Sequence, residues 1–344
     1  MKILITGATG FIGKRLSEKF LSAGDEVYVL VRKKSLEKAK EIFKNHSNVH
    51  FILGDVSNND VLDTVVGVGM LPDDIESVIH LAAIYDLEVS LSSAYANNVV
   101  GTQNVIYLMQ RMKKLKFYHH ISTYAVSGVH DGDFREDQIE SNSKFPDFYA
   151  RTKMQAEYLV RHANLKNVKV RIYRPGIIIG DSTTGEMDKV DGPYYFFRLF
   201  TQLDKYKQFI PLRQLPISCH KSATVPLLPV DTLVEWLFEM VSNPTKDKLR
   251  CYHMVPDEKI FVTEFINQTL ELYNIKMKVQ RIPFPELYAA ILPHLNIPKE
   301  LVPYMQNKTR YTKSEIKKDF PHLKAPKLKE YLPIILERAK GMFE

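Results

Sequence analysis

One short run near the start of the chain constrains its fold more than any other feature: Thr6-Gly7-Ala8-Thr9-Gly10-Phe11-Ile12-Gly13. It sits between an apolar run, Lys2–Thr6, that reads as a β-strand and an amphipathic stretch over 11–23 that reads as a helix. A G-x-x-G-x-x-G spacing in that context predicts a strand–turn–helix that approaches a pyrophosphate closely. Gly7 permits the tight turn, Gly10 lets backbone approach the phosphates, and Gly13 allows close helix–strand packing. Thr9, Phe11 and Ile12 complete the same turn. The helix start offers free N–H groups and the positive end of its dipole to an anion.

The pattern beyond the turn fits this start. Short β-branched runs at Lys2–Thr6, Glu26–Val31, Val49–Leu53, 77–81, 116–122 and 168–173 alternate with helical periodicity over 11–23, 35–44, 92–113 and 147–162. Glu26–Val31 is almost wholly apolar, as a strand covered on both faces must be. Such alternation predicts an α/β fold of the Rossmann type, a doubly wound parallel sheet. We expect a dinucleotide-binding domain over 1–175, with sheet elements returning up to about 235. A mixed substrate lobe over 176–344, basic in its C-terminal part, would follow.

The tip of the second strand specifies the dinucleotide. An Asp or Glu there would bind a ribose 2′-hydroxyl; this chain has Val31-Arg32-Lys33-Lys34. Arg32 first, and Lys33 second, suit a 2′-phosphate, so the expected cofactor is NADP, as NADPH. Asp55, followed by Val56, ends the third strand where a carboxylate can reach the adenine amine. Ala82 and Ala83, after His80-Leu81, are small enough to let backbone approach the cofactor.

A second constellation carries chemistry. Tyr149 and Lys153 are four residues apart on a predicted helix, so both project from one face. A tyrosine of ordinary pKa, about 10, is a poor acid–base at neutral pH, and a neighbouring ammonium favours its phenolate. Ser122 and Thr123 close a strand and bring hydroxyls to its carboxyl end, where open α/β sheets bind ligands.

These residues together resemble the extended short-chain dehydrogenase/reductase superfamily over at least residues 1–235. The resemblance implies hydride transfer with Thr123, Tyr149 and Lys153 as the catalytic set; Thr123 is preferred to Ser122 by its distance from Gly128. It implies that Asn98, in Asn97-Asn98-Val99-Val100-Gly101-Thr102, holds the active-site architecture. Pro175, Gly176 and Ile177 match the segment that approaches the nicotinamide. Within the superfamily, Arg174-Pro175-Gly176 followed by Gly180-Asp181-Ser182-Thr183-Thr184-Gly185 is similar to the thioester reductase and fatty acyl-CoA reductase branch. The reaction so implied is NADPH reduction of an acyl thioester to an aldehyde or alcohol, the substrate arriving on coenzyme A, on a separate carrier protein, or as a free carbonyl. Three alternatives remain open: a ketone or aldehyde reductase of the hydroxysteroid or dihydroflavonol type, a nucleotide-sugar epimerase or dehydratase, and a non-enzymatic NADP-sensing protein. Aromatic residues over 194–200 and the apolar segment 282–297 are candidate linings of an acyl pocket.

Composition excludes other classes. Cys219 and Cys251 make neither a disulfide framework nor a metal cluster, and no metal site is expected. The start of the chain has no leader-like apolar core, and no run approaches the roughly 18 apolar residues of a spanning helix. A cytoplasmic protein with reduced thiols is therefore expected. The net charge is +7, and residues 245–344 hold 18 Lys+Arg against 12 Asp+Glu. No nucleic-acid module accompanies this basic excess, which suits an acidic carrier protein or an anionic surface. A monomer or a homodimer is compatible with the pattern.

Overall fold

The central strands of the first half of the chain are apolar enough to be buried on both faces. In Lys2–Thr6, Ile3 and Ile5 enter one core while Leu4 enters the other, all at zero exposure. Each such side chain contributes about 1.5–3 kcal/mol on burial. The computed structural model describes residues 1–58, 72–86, 88–139, 143–188, 190–206 and 213–344.

In chain order the strands are β1 (Lys2–Thr6), β2 (Glu26–Val31), β3 (Val49–Leu53), β4 (Ser77–His80), β5 (Phe117–Ile121), β6 (Asp131–Phe134), β7 (Lys169–Pro175), β8 (Ile177–Ile179), β9 (Gln214–Ile217), β10 (Leu227–Pro229), β11 (Leu249–Met254), β12 (Lys278–Arg281) and β13 (Lys308–Tyr311). Seven form one parallel sheet in the order β11-β7-β5-β4-β1-β2-β3. Strand order reverses between β1 and β4, which opens a crevice at their carboxyl ends. Helices Phe11–Ser22 and Val230–Ser242 pack on one face. The run 91–109 and helix Phe148–His162 cover the other.

The sheet reaches further along the chain than the limit near 235 expected from sequence. Its outermost strand, β11, pairs with β7 from Leu249↔Val170 to Met254↔Pro175. In Leu249–Met254 an arginine and a histidine interrupt the apolar run. His253 is fully buried because Arg174 and the Thr312 carbonyl satisfy its two ring nitrogens.

A second core gathers helices Tyr194–Tyr206, Val262–Leu272 and Leu328–Phe343. Three two-stranded parallel pairs accompany the main sheet: β10 with β8, β12 with β9, and β13 with β6. The last pair brings residues 308–311 back over the loop that follows β5. No helix among the described residues is long and apolar enough to cross a membrane.

Candidate active site

The glycine turn performs its steric task at the crevice between β1 and β4. Gly7 has φ +77°, and a Cβ there would lie 2.6 Å from the Ala82 amide nitrogen. A Cβ on Gly13 would lie 2.2 Å from the Gly7 carbonyl oxygen. Gly10 is the N-cap of the helix Phe11–Ser22, with no side-chain cap and no acidic residue in the first turn. The helix start is therefore open to an anion.

A cleft of about 820 Å³ follows from this geometry. Gly7, Thr9 and Gly10 form its floor, Arg32, Asp55 and Val56 come from the tips of β2 and β3, and Ala82 and Ala83 from the end of β4. Ser35 and Asn97 line it as well, and neither stands out in the sequence. Lys33 is exposed at the start of a 3-10 turn and does not line the cleft. Phe11 and Ile12 pack toward the core behind the turn, with Arg15 over the Phe11 ring. Asp55 accepts bonds from the Ser57 amide and hydroxyl at 3.0 and 2.7 Å. The cleft's shape, its open helix terminus and the cation at its edge fit a dinucleotide.

The hydroxyls of Ser122 and Thr123 lie at the carboxyl edge of β5. Ser122 donates to Glu157 Oε2 at 2.6 Å and is thereby committed to the core. Thr123 caps the 3-10 turn Tyr124–Ser127 and hydrogen-bonds Tyr149. Gly128 closes this turn at φ +57°, where a Cβ would meet the Lys144 carbonyl oxygen at 2.5 Å. Tyr149 and Lys153 project from the helix Phe148–His162, whose N-cap Asp147 accepts the Ala150 amide at 2.7 Å. The Tyr85 ring stands edge-on to Tyr149, centroids 4.8 Å apart.

Electrostatics here differ from the simple expectation of an ammonium lowering the phenol. Burial raises the Tyr149 pKa, and the bond with Thr123 works in the opposite direction. Lys153 is pushed down to about 8 by burial, against the pull of Glu157. Its Nζ donates to the Ile121 carbonyl at 2.7 Å.

Asn98 joins the side of the cleft to the helix Phe148–His162. It lies in the π-helical segment Tyr95–Val100, a local widening often found at functional positions. Its Oδ1 accepts the Ile84 amide at 2.9 Å, and its Nδ2 donates to Thr152 Oγ1 at 3.0 Å. A buried polar chain continues from it to the glycine turn. The Ala82 amide donates to Thr6 Oγ1 (3.2 Å), Thr6 bonds His80 Nδ1 (2.7 Å), His80 Nε2 bonds Thr102 Oγ1 (3.1 Å), and Thr102 donates to the Asn98 carbonyl (2.6 Å). Because Thr102 spends its own proton on the Asn98 carbonyl, His80 must carry a proton on Nε2, and a neutral ring then accepts from Thr6 at Nδ1. Burial lowers its pKa to about 3, which keeps the ring in that form.

Pro175 ends β7, Gly176 donates its amide to the Met254 carbonyl at 3.0 Å, and Ile177 begins β8. A Cβ on Gly176 would lie 2.2 Å from the Pro226 carbonyl oxygen, so glycine is required there. The Gly180–Gly185 motif is a tied turn. Asp181 Oδ1 accepts the Thr183 and Thr184 amides, and Ser182 binds Asp231 through amide and hydroxyl.

A second cavity, about 680 Å³ and mostly apolar, adjoins this edge. Tyr124 and Ile177 line it on the side of the catalytic candidates, and Phe196, Phe265, Leu301 and Tyr304 are among its other lining residues. Phe196 is the only residue of 194–200 that lines it, while Tyr194 bonds the Gly180 amide. No residue of 282–297 lines it; Tyr288, Leu292 and Ile297 are core. Tyr304, with no local signal in the sequence, donates to Asp147 Oδ2 at 2.6 Å. Cys219 and Cys251 are free and buried, and among the described residues no cluster of three or more His, Cys, Asp or Glu could hold a metal ion.

A parallel sheet with a glycine turn at its switch point, and Thr, Tyr and Lys gathered beside it, defines an extended short-chain dehydrogenase/reductase. Residues 5–237 match the male sterility protein family of NAD-binding domains, and the chain belongs to that family. It is 29% identical over 281 residues to fatty acyl-CoA reductase 1 of Xenopus laevis, which covers 67% of this chain and 52% of that protein. The chain thus spans about half the length of that relative. It is 27% identical over 170 residues to a 3-beta-hydroxysteroid dehydrogenase of Mycolicibacterium neoaurum, covering 47% of this chain and 43% of that one. The terminal R domain from the myxalamid PKS-NRPS biosynthetic pathway superposes with a TM-score of 0.77 at 20% identity, covering 100% of this chain and 91% of that domain.

Proposed function

We propose that this protein is an NADPH-dependent reductase of acyl thioesters, carried by coenzyme A or by an acyl carrier, yielding an aldehyde or alcohol. One observation carries the reading: the apolar cavity is walled by Tyr124, next to Thr123, and by Ile177, next to Gly176. An apolar chain lying there has its reactive carbonyl beside the catalytic hydroxyls. The fatty acyl-CoA reductase relative supports the same substrate class.

When bound, NADPH supplies the hydride for the carbonyl carbon. Gly7, Thr9, Gly10 and the open helix start would hold its pyrophosphate, Arg32 its 2′-phosphate, and Asp55 its adenine. Thr123 and Tyr149 together hold the substrate carbonyl oxygen, and Tyr149 donates its proton to that oxygen as negative charge develops. Lys153, one helical turn after Tyr149, would favour the phenolate left once that proton has gone. The resulting hemithioacetal gives up its hydroxyl proton as the C–S bond breaks, releasing aldehyde and thiol. A second reduction of the aldehyde would give the alcohol.

The test is loss of NADPH absorbance with a panel of acyl-CoAs, aldehydes and ketones, with Tyr149→Phe as the blank. Oxidation with acyl-CoA that disappears in the variant supports the reading. Turnover of ketones or hydroxysteroids alone would replace it with a second reading. That second reading is favoured by the likeness to a hydroxysteroid dehydrogenase and by the apolar lining of the same cavity.

A further inference from the structure

An apolar stripe runs along the outside of the second lobe. Helix Pro285–Ile291 continues into the 3-10 turn Leu292–Leu295. Its inner face is ordinary core, with Tyr288 and Leu292 buried at 7% and 1% exposure. Its outer face is equally apolar: Phe284, Leu287, Ile291 and Leu295 are 55%, 56%, 44% and 41% exposed. Their spacing of three, four and four residues places them on one side of the helix. A surface helix normally shows charge on that side. Here the outer face carries large hydrophobic side chains instead, which marks an interaction surface.

The charges around the stripe indicate its partner. Lys276, Lys278 and Arg281 precede it and Lys299 follows it, all exposed, while Glu286 is the sole acidic residue in 273–299. Arg198 joins them from a neighbouring helix by donating to the Asn296 carbonyl. A two-fold contact between copies of this chain would set these cations against one another. An anionic lipid surface complements them while accepting the apolar side chains at its headgroup boundary. The stripe also adjoins the cavity described above, since helix Leu301–Met305 packs on helix Pro285–Ile291 and contributes Leu301, Tyr304 and Met305 to the cavity wall.

We propose that residues 284–295 form a membrane-surface docking element that seats the second lobe on an anionic phospholipid bilayer, without spanning it. Binding of this kind requires no turnover, so it stands or falls separately from the acyl thioester reading.

The experiment is co-sedimentation of the full chain with vesicles of phosphatidylcholine, with and without phosphatidylserine. The wild type should pellet with the anionic vesicles, and less so as salt is raised. Leu287→Ser with Ile291→Ser should lower the partition coefficient roughly tenfold or more. Neutralising Lys276, Lys278 and Arg281 to Gln should remove the preference for anionic lipid. All these positions are exposed, and unchanged melting temperature with retained NADPH binding will show that the variants fold. A wild type that stays in the supernatant, or a double serine variant that pellets equally well, overturns the proposal. So does a dimer in sedimentation velocity that the serine pair abolishes without any lipid binding, since the face would then be a contact between copies.

Discussion

Tyr304 donates its hydroxyl to Asp147 Oδ2 at 2.6 Å while the other oxygen of the same carboxylate accepts the Ala150 amide at 2.7 Å. One side chain therefore caps the helix Phe148–His162 and anchors a wall of the apolar cavity, two residues before Tyr149. Burial raises the Asp147 pKa, and the bonds from Tyr304 and the backbone hold it down. Tyr304→Phe keeps the ring but removes the bond. We expect a loss of about 1–3 kcal/mol in stability and a several-fold fall in kcat, with NADPH affinity unchanged because the cofactor cleft lies elsewhere. Thermal melts and steady-state kinetics measure both. A stability loss with kcat intact would confine Tyr304 to a structural role.

Lys153 gives a pH dependence whose sign is fixed. Its folded-state pKa is pushed down to about 8 from 10.5 by burial, so the folded protein releases this proton earlier than the unfolded chain. The penalty for burying the charge is present below pH 8 and is relieved as pH rises through it, so this group adds stability between about 8 and 10.5. On the proposed reading function runs the other way, because an ammonium attracts an anionic cofactor and favours a phenolate. NADPH affinity of the free protein should fall as pH rises past about 8, and Lys153→Met should remove that inflection. Fluorescence titration across the pH range decides it; an identical profile in the variant would assign the inflection to another group.

Arg32 lines the cofactor cleft at the tip of β2, whereas Lys33 does not. If Arg32 reads the 2′-phosphate, Arg32→Ala should weaken NADPH binding roughly tenfold to a hundredfold, the range of one lost charge-assisted contact. NADH binding should change little, and Lys33→Ala should do much less to either. Equal losses for NADPH and NADH would locate the recognition of the 2′-position elsewhere.

What the sequence discloses here is what is local. Gly7, Gly10 and Gly13 are legible because one turn contains their whole mechanical reason. Tyr149 and Lys153 are legible because one helix carries both, and their strands are legible because both faces are apolar. What escaped is assembled from distant segments. Leu249–Met254 joins the sheet although its arginine and histidine break the apolar pattern, and only the fold supplies the partners that satisfy them. Tyr304 reaches Asp147 from 157 residues away. Residues of 301–311 contribute to the wall of the apolar cavity and none of 282–297 does, because the latter segment packs one hydrophobic face into the core and turns the other outward. The Gly180–Gly185 run, conspicuous in sequence, is a hydrogen-bonded turn tied within itself by Asp181 and to distant Asp231 through Ser182.

The buried ion pair beneath Ser122 makes stability depend on pH in the acid range. Glu157 and Arg174 are fully buried, with Arg174 donating at 3.0 and 2.7 Å; Arg161 adds a bond at 2.8 Å and Ser122 one at 2.6 Å. Burial alone would raise the Glu157 pKa, but Arg174, Arg161 and these hydrogen bonds outweigh it and hold the carboxyl well below 4.5. A depressed folded-state pKa means stability that is present above 4.5 and is lost as pH falls below it. Glu157→Gln leaves Arg174 charged and buried without its counter-ion, so it should cost about 3–5 kcal/mol at pH 7. The gap between variant and wild type should then narrow as pH drops below 4.5, since the wild type loses its advantage while the variant has none to lose. Denaturant melts of both proteins from pH 7 downward test this, and a gap that stays constant with pH would mean that packing, not charge, accounts for the loss.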